Sequence, residues 1–116
     1  KEDFISEQAA SVQGAPENFV LEQNFPNPFS ASGIFDNPET AIRFGLPQPS
    51  VVTIKIFDLT GHEVATLLDR VEMPAGRHQR VWNGLDAQGR VVVSGIYFCR
   101  LVAGSFVRMV KIVVVR

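Results

Sequence analysis

The side chains best suited to chemistry are few in these 116 residues, and their spacing matches no reaction. His62 falls in a turn and His78 in a strand-like run, with neither a His-Glu-x-x-His pair nor the His/Cys spacing of a zinc site. Cys99 is the single cysteine, so no internal disulfide can form, and nothing beside it marks a catalytic thiol; it reads as a small buried hydrophobe. There is no Gly-x-Ser-x-Gly elbow, and the glycines are scattered turn glycines with no phosphate-cradling run. Asp58, Asp69 and Asp86 are the acids that could meet as a carboxylate pair, but no spacing brings them together. Asp86 has only Asn83 and backbone groups near it, too few oxygens for a hard cation. Three residues before Gly89, it is placed to accept backbone N–H groups and hold its loop shut. The expectation is a protein that is not an enzyme and takes no cofactor or metal.

The elements that would carry these residues are strands. Lys1 to Glu17 is polar, with a weakly amphipathic stretch at Phe4 to Val12, and reads as an arm; the division is residues 1–18 as arm and 19–116 as body. Phe19 to Gln23 reads as a short strand. Two prolines in Phe25-Pro26-Asn27-Pro28-Phe29 then forbid helix and interrupt ladder pairing. Ser30 to Glu39 is a loop carrying two apolar residues, Ile34 and Phe35, as a candidate interaction site. Thr40 to Leu46 sets Ile42, Phe44 and Leu46 on one face, and Val51 to Asp58 does the same with Val52, Ile54 and Ile56. After a turn at Gly61 comes a return strand from Glu63 to Leu68, then a turn at Pro74-Ala75-Gly76 and a strand from Arg77 to Trp82. Asn83 to Arg90 is a dense loop. Val91 to Val93, a bend at Ser94-Gly95, and Ile96 to Val102 follow; a turn at Gly104 leads to Phe106 to Val115. About seven strands punctuated by turns, with no convincing helix after Pro16, predict an all-β, immunoglobulin-like antiparallel sandwich. Gly61, Gly76, Gly89 and Gly104 are expected at positive φ, with Trp82 and Tyr97 in the core.

Composition sets outer limits. Hydrophobic residues at 46% and charged residues at 20% suit a packed domain, and no apolar run approaches the ~20 residues of a membrane helix. A net charge of −1 gives no reason to expect nucleic acid. The charge is uneven: residues 1–40 carry seven acids against one lysine, and residues 41–116 carry ten basic residues against five acids. The opening Lys-Glu-Asp-Phe is not a signal peptide, so an exported chain would be a piece of a longer precursor or one whose signal has been removed.

From Phe19 to Arg116 the chain resembles the type A C-terminal sorting domains of type IX secretion cargo and, beside them, the immunoglobulin-like domain of flagellar hook-capping proteins. The residues carrying the resemblance are Leu21 through Phe29 (Leu-Glu-Gln-Asn-Phe-Pro-Asn-Pro-Phe), Val52 through Asp58 with Gly61, and Glu63 through Leu67. They continue with Pro74-Ala75-Gly76, Trp82-Asn83-Gly84 with Asp86 and Gly89, Ser94-Gly95-Ile96-Tyr97-Phe98, and Lys111-Ile112-Val113. Three departures stand out: residues 30–40 are longer than the usual link, Arg80 occupies an inward position expected to be apolar, and Cys99 replaces a common aromatic.

The resemblance implies a translocation signal that follows a larger exported module and is recognised by outer-membrane machinery. It is often removed by a sortase-like peptidase that joins the cargo to surface lipopolysaccharide. The residues expected to be read are Lys111, Ile112, Val113, Val114, Val115 and Arg116, and Asn27, Pro28, Phe29, Gly61, Gly76, Trp82, Asp86, Gly89, Gly95 and Tyr97 are expected to be structural. The protein would be secreted or displayed on the cell surface. The alternative is a self-associating homo-oligomeric subunit of a surface filament, its partners neighbouring subunits joined by strand addition or arm exchange. A carbohydrate-binding module is the third reading, weakened because most aromatics fall on inward-alternating positions.

Overall fold

Alternating apolar residues close this chain into two sheets packed face to face. The computed structural model describes residues 14–31 and 39–116. The Phe4 to Val12 stretch, and the Ile34 and Phe35 pair proposed as an interaction loop, lie outside the described residues.

The strands, in chain order, are β1 (Val20–Leu21), β2 (Phe29–Ser30), β3 (Thr40–Leu46), β4 (Ser50–Asp58), β5 (Glu63–Met73), β6 (Gly76–Trp82), β7 (Gly95–Ala103) and β8 (Phe106–Val115). One sheet has the order β1-β3-β6 and the other β2-β8-β7-β4-β5. All pairings are antiparallel except β2 on β8, which is parallel. This is the predicted immunoglobulin-like sandwich.

The inner faces are the ones alternation marks. Ile42, Phe44 and Leu46 of β3 line one inner face, and Val52, Ile54 and Ile56 of β4, Cys99 and Leu101 of β7 and Ile112 and Val114 of β8 line the other side by side, all buried. Burial of side chains this size stabilises by roughly 1.5–3 kcal/mol each. Trp82 joins the sheets: its ring meets Phe29 and Tyr97 edge to face, each at 5.6 Å, and its Nε1–H donates to the Leu85 carbonyl at 3.0 Å. The Tyr97 hydroxyl donates to the Val93 carbonyl at 2.7 Å. Cys99 is fully buried, and burial pushes its thiol pKa up to about 12, so it is an inert core residue.

Two local expectations are corrected and a third is upheld. The return strand does not stop at Leu68 but runs to Met73, because β5 carries extra residues against β4. Ile54 pairs with Leu68 while Val52 pairs with Val71, so one residue is left over; Arg70 takes it up at φ 51°, its N–H donating to Thr53 Oγ1 at 3.1 Å. Bulges destroy the period of two that a sequence pattern relies on. Val91 to Val93 is not a strand: Val91 makes only a single bridge to Leu85, Val92 N–H donates to the Gly84 carbonyl, and β7 begins at Gly95 itself. Finally, Arg80 does take the inward-alternating side of β6 with Trp82, half-buried. Because β6 is an edge strand, its stem can lie on the core while its head reaches out at the rim, where Nη1 donates to the Gln79 carbonyl.

Gly84 is where two segments press closest. A Cβ there would collide with the Ala31 side chain and stand 3.6 Å from the Phe29 ring, and its φ is 77°. Gly84→Ala is therefore expected to lower stability by about 1–3 kcal/mol through overpacking. The urea midpoint, compared with that of the unchanged chain, checks this.

Candidate interaction edge at the C-terminal strand

Of the residues expected to be read by a partner, Lys111 to Val115 lie on β8 and Arg116 follows it; only the two-residue β2 covers the outer side of β8, where an edge strand's chemistry is that of its unpaired backbone groups. The segment from Phe19 to Ala31 runs beside β8 as a strap. At one end Phe19 stacks on Phe106 at 5.2 Å. Further along, Gln23 Nε2 donates to the Lys111 carbonyl at 2.7 Å, and Asn27 Oδ1 accepts the Val113 N–H at 2.8 Å. At the far end Phe29 and Ser30 pair with Val114 and Val115, and Ala31 N–H donates to the Val115 carbonyl. Side-chain amides thus do what a full strand would do, through a stretch in which Phe25-Pro26 and Asn27-Pro28 are both cis.

The strap also reaches the other sheet. Gln23 Nε2 donates to Asn24 Oδ1, buried Asn24 donates through Nδ2 to Thr40 Oγ1 at 2.8 Å, and Thr40 donates to the Pro26 carbonyl at 2.7 Å. Asn24 and Thr40 are the only buried polar residues among those described, and both are satisfied. The sequence assigned no role of their own to Gln23, part of the Leu21–Phe29 motif, or to Thr40, although Gln23-Asn24, just ahead of Phe25-Pro26, is a usable signal: amides there can replace ladder bonds that proline forbids.

The six C-terminal residues therefore divide in two. Ile112 and Val114 are core, 0% and 1% exposed. Lys111, Val115 and Arg116 are exposed and Val113 half-buried; the Arg116 N–H donates to Ser94 Oγ at 2.8 Å. Only the second group is available to a partner.

Three of the expected structural residues, Gly61, Asp86 and Gly89, lie in two loops of one design. Asp58-Leu59-Thr60-Gly61-His62 and Asp86-Ala87-Gln88-Gly89-Arg90 share the spacing Asp-x-x-Gly-x. In each, the Asp N–H donates to the carbonyl four residues on and the Asp carbonyl accepts the glycine N–H. Asp58 Oδ1 accepts the N–H groups of Thr60 and His62, both at 2.9 Å, and Asp86 Oδ1 accepts those of Gln88 and Arg90 at 2.9 and 3.0 Å. Gly61 and Gly89 take the left-handed turn at φ 91° and 81°; Gly76 and Gly104 are also positive, as expected. Asp86 thus closes its loop by the mechanism its sequence suggests.

The remaining chemistry-bearing residues are accounted for by local contacts. His62 Nδ1 sits 2.7 Å from Thr60 Oγ1, and His78 Nε2 lies 2.8 Å from the Pro74 carbonyl with its ring against Phe44. Asp58, Glu63 and Asp86 line one open cleft of about 500 Å³ with Arg90 and Tyr97, whereas Asp69 is not part of it. All three carboxyls are held below their ordinary range: Asp58 chiefly by the Thr60 hydroxyl, Glu63 by that of Thr66, and Asp86 by the Arg90 N–H. Tyr97 is pushed up by burial and then by the charge of Asp58. Carboxylates so stabilised as anions are the reverse of a proton-donating acid.

Two predictions follow from this geometry. Removing the Asn27 amide by Asn27→Ala should cost about 0.5–1.5 kcal/mol, and hydrogen exchange should show the Val113 amide losing protection ahead of its β7-paired neighbours. For pH, the folded pKa values of Asp58 and Asp86 lie below the unfolded value of about 4. Between the two values the unfolded chain holds more protons, so stability is full above the unfolded pKa and falls as pH drops through the folded one. Urea midpoints across that acid range should decline, and less steeply in the Asp58→Asn, Asp86→Asn double variant.

No curated protein matches the chain in sequence. Among solved structures it is similar to PorZ, an essential bacterial surface component of the type-IX secretion system of Porphyromonas gingivalis, at 22% identity and a TM-score of 0.53. That match covers 80% of this chain and 11% of PorZ. It is also similar to dimeric latent PorU from Porphyromonas gingivalis, at 21% identity and a TM-score of 0.61, over 84% of this chain and 9% of PorU. The chain thus spans about a tenth of either protein, and these likenesses bear on fold. The FlgD Ig-like domain family matches residues 31–105, more than half of the sequence, with the strap through Ser30 and all of β8 outside that span. Over that shared body, the chain belongs to the FlgD Ig-like domain family.

Proposed function

We propose that this domain is a non-catalytic sorting and anchoring module that directs an exported bacterial protein through type IX secretion to the cell surface. The observation that carries the reading is the C-terminal strand. Its inward side chains, Ile112 and Val114, are spent on the core, its edge is fastened by the strap, and Lys111, Val115 and Arg116 stand outward on a rigid support. A signal that must be read in folded form needs such a display, since immobilised side chains lose less freedom on binding. Similarity in fold to PorZ, a surface component of the type-IX secretion system, supports the same reading. The hydrogen bonds that already engage each cleft carboxylate, from Thr60 and His62, from Thr66, and from Gln88 and Arg90, support a structural role for them. Self-assembly by adding a strand to the end of β8 is the weaker reading, because the chain's own strap already occupies that edge.

Deleting residues 111–116 would be a poor test, since it removes two core side chains along with the exposed ones. The discriminating variant is Val115→Glu with Arg116→Glu, behind a reporter in a type IX-secreting cell. The expected result is reporter held in the periplasm while the purified domain melts within a few degrees of the unchanged one. Undiminished surface display of that variant would refute the sorting role.

A further inference from the structure

A sheet packed on one side ordinarily turns polar residues to water on the other. The five-stranded sheet departs from this on β7 and β8. Its outward positions form cross-strand rows: Thr53, Val102 and Val107; Lys55, Arg100 and Met109; Phe57, Phe98 and Lys111; then Ile96 and Val113. Val107 is 56% exposed, Met109 49% and Ile96 38%.

Among these apolar side chains lies a cation. The Arg100 guanidinium sits over the Phe57 ring, 4.6 Å from its centroid, and its Nε is shut off from solvent with no acceptor among the described residues. Glu63 feels the charge of Arg100, but its two oxygens are engaged by Lys55 at 3.1 Å and by Thr66 at 2.9 Å. Lys111, in the adjoining row, has no ion-pair partner among the described residues. An arginine flattened on an aromatic ring amid exposed apolar side chains is the composition of an interface centre. A second copy meeting this face through a two-fold axis would set Arg100 and Lys111 against their own counterparts, so charge selects a different occupant.

We propose that the outward face of the β4-β7-β8 sheet docks a protein surface carrying a carboxylate within an apolar patch. The carboxylate meets Arg100, and the apolar groups cover Phe98, Val107 and Met109. Resting on the export reading above, the inference makes that surface part of the secretion apparatus and gives its chemistry.

The test uses the full chain behind the same reporter, with Arg100→Glu and Met109→Glu as face variants. Val81→Glu is the control, an exposed apolar position on the other sheet. Thermal melts of the purified chains select the variants that fold. Surface reporter is expected to fall about tenfold for Arg100→Glu and Met109→Glu, the effect of losing a single central contact, and to stay unchanged for Val81→Glu. Arg100→Gln, which removes charge without reversing it, should fall between them. A photo-crosslinker at position 109 should capture a partner segment bearing an acid, and reversing that acid to arginine should restore export of Arg100→Glu. If the face variants are exported normally while the Val115→Glu, Arg116→Glu chain is retained, the sorting reading stands and this docking face is refuted. Normal export of both sets refutes both, and equal loss for Val81→Glu refutes the face as the specific surface.

Discussion

The hydrogen bond from the Val113 amide to Asn27, together with its counterpart from Gln23 to the Lys111 carbonyl, is the constraint on which the rest of this domain turns. A β-strand at a sheet edge has half its polar backbone unanswered, and unanswered edges pair with whatever strand comes near. Here two prolines rule out an ordinary ladder partner, so amide side chains take the place of backbone groups. Once the strap is held to β8, Asn24 and Thr40 tie it to the opposite sheet, and Phe29 is delivered against Trp82. One short segment therefore sets the edge, the join between sheets and the central aromatic contact.

The two Asp-x-x-Gly-x loops show how little variety the chain uses at its turns. Each concentrates several backbone N–H groups on one carboxylate, at Asp58 and at Asp86, on the same side of the molecule. Three acids around an open cleft would attract attention as a catalytic or cation site. Their hydrogen bonds explain them more simply, because each anion is already solvated by the protein. The family match over residues 31–105 includes both loops, which are parts of the common body, whereas the strap and β8 lie at its two margins.

Much of the fold was legible because alternation is faithful wherever a strand is regular. Ile42, Phe44 and Leu46 on β3, and Val52, Ile54 and Ile56 on β4, face the core as their spacing requires. Trp82, Tyr97, Cys99 and Asp86 also lie where residue type alone would put them. Legibility ended at β5, whose bulges put Ala65, Leu68 and Met73 inward at uneven intervals, and at Val91 to Val93, where a closing loop claims the backbone. The candidate edge was half legible. Both of its partners were noticed, the proline-rich motif and the terminal strand, but their mutual pairing was not, because nothing local records a contact between segments so far apart in sequence. Arg100 was missed for a related reason: a lone arginine in a strand looks like a solvated charge until the ring beneath it and the missing acceptor are seen.

The separation between strap and terminal strand has a temporal consequence. Gln23 and Lys111 stand 88 residues apart in the chain, and Asn27 and Val113 stand 86 apart. A polypeptide emerging from the ribosome has made its strap long before the strand that will hold it, and contacts this distant form late. Until Val113 to Val115 emerge, Phe29 and Ala31 have no ladder to rest on and the β7 rim lies bare. Closure of the sandwich thus waits on β8: before that strand is made, the flank of β7 and the seat of Phe29 stay open.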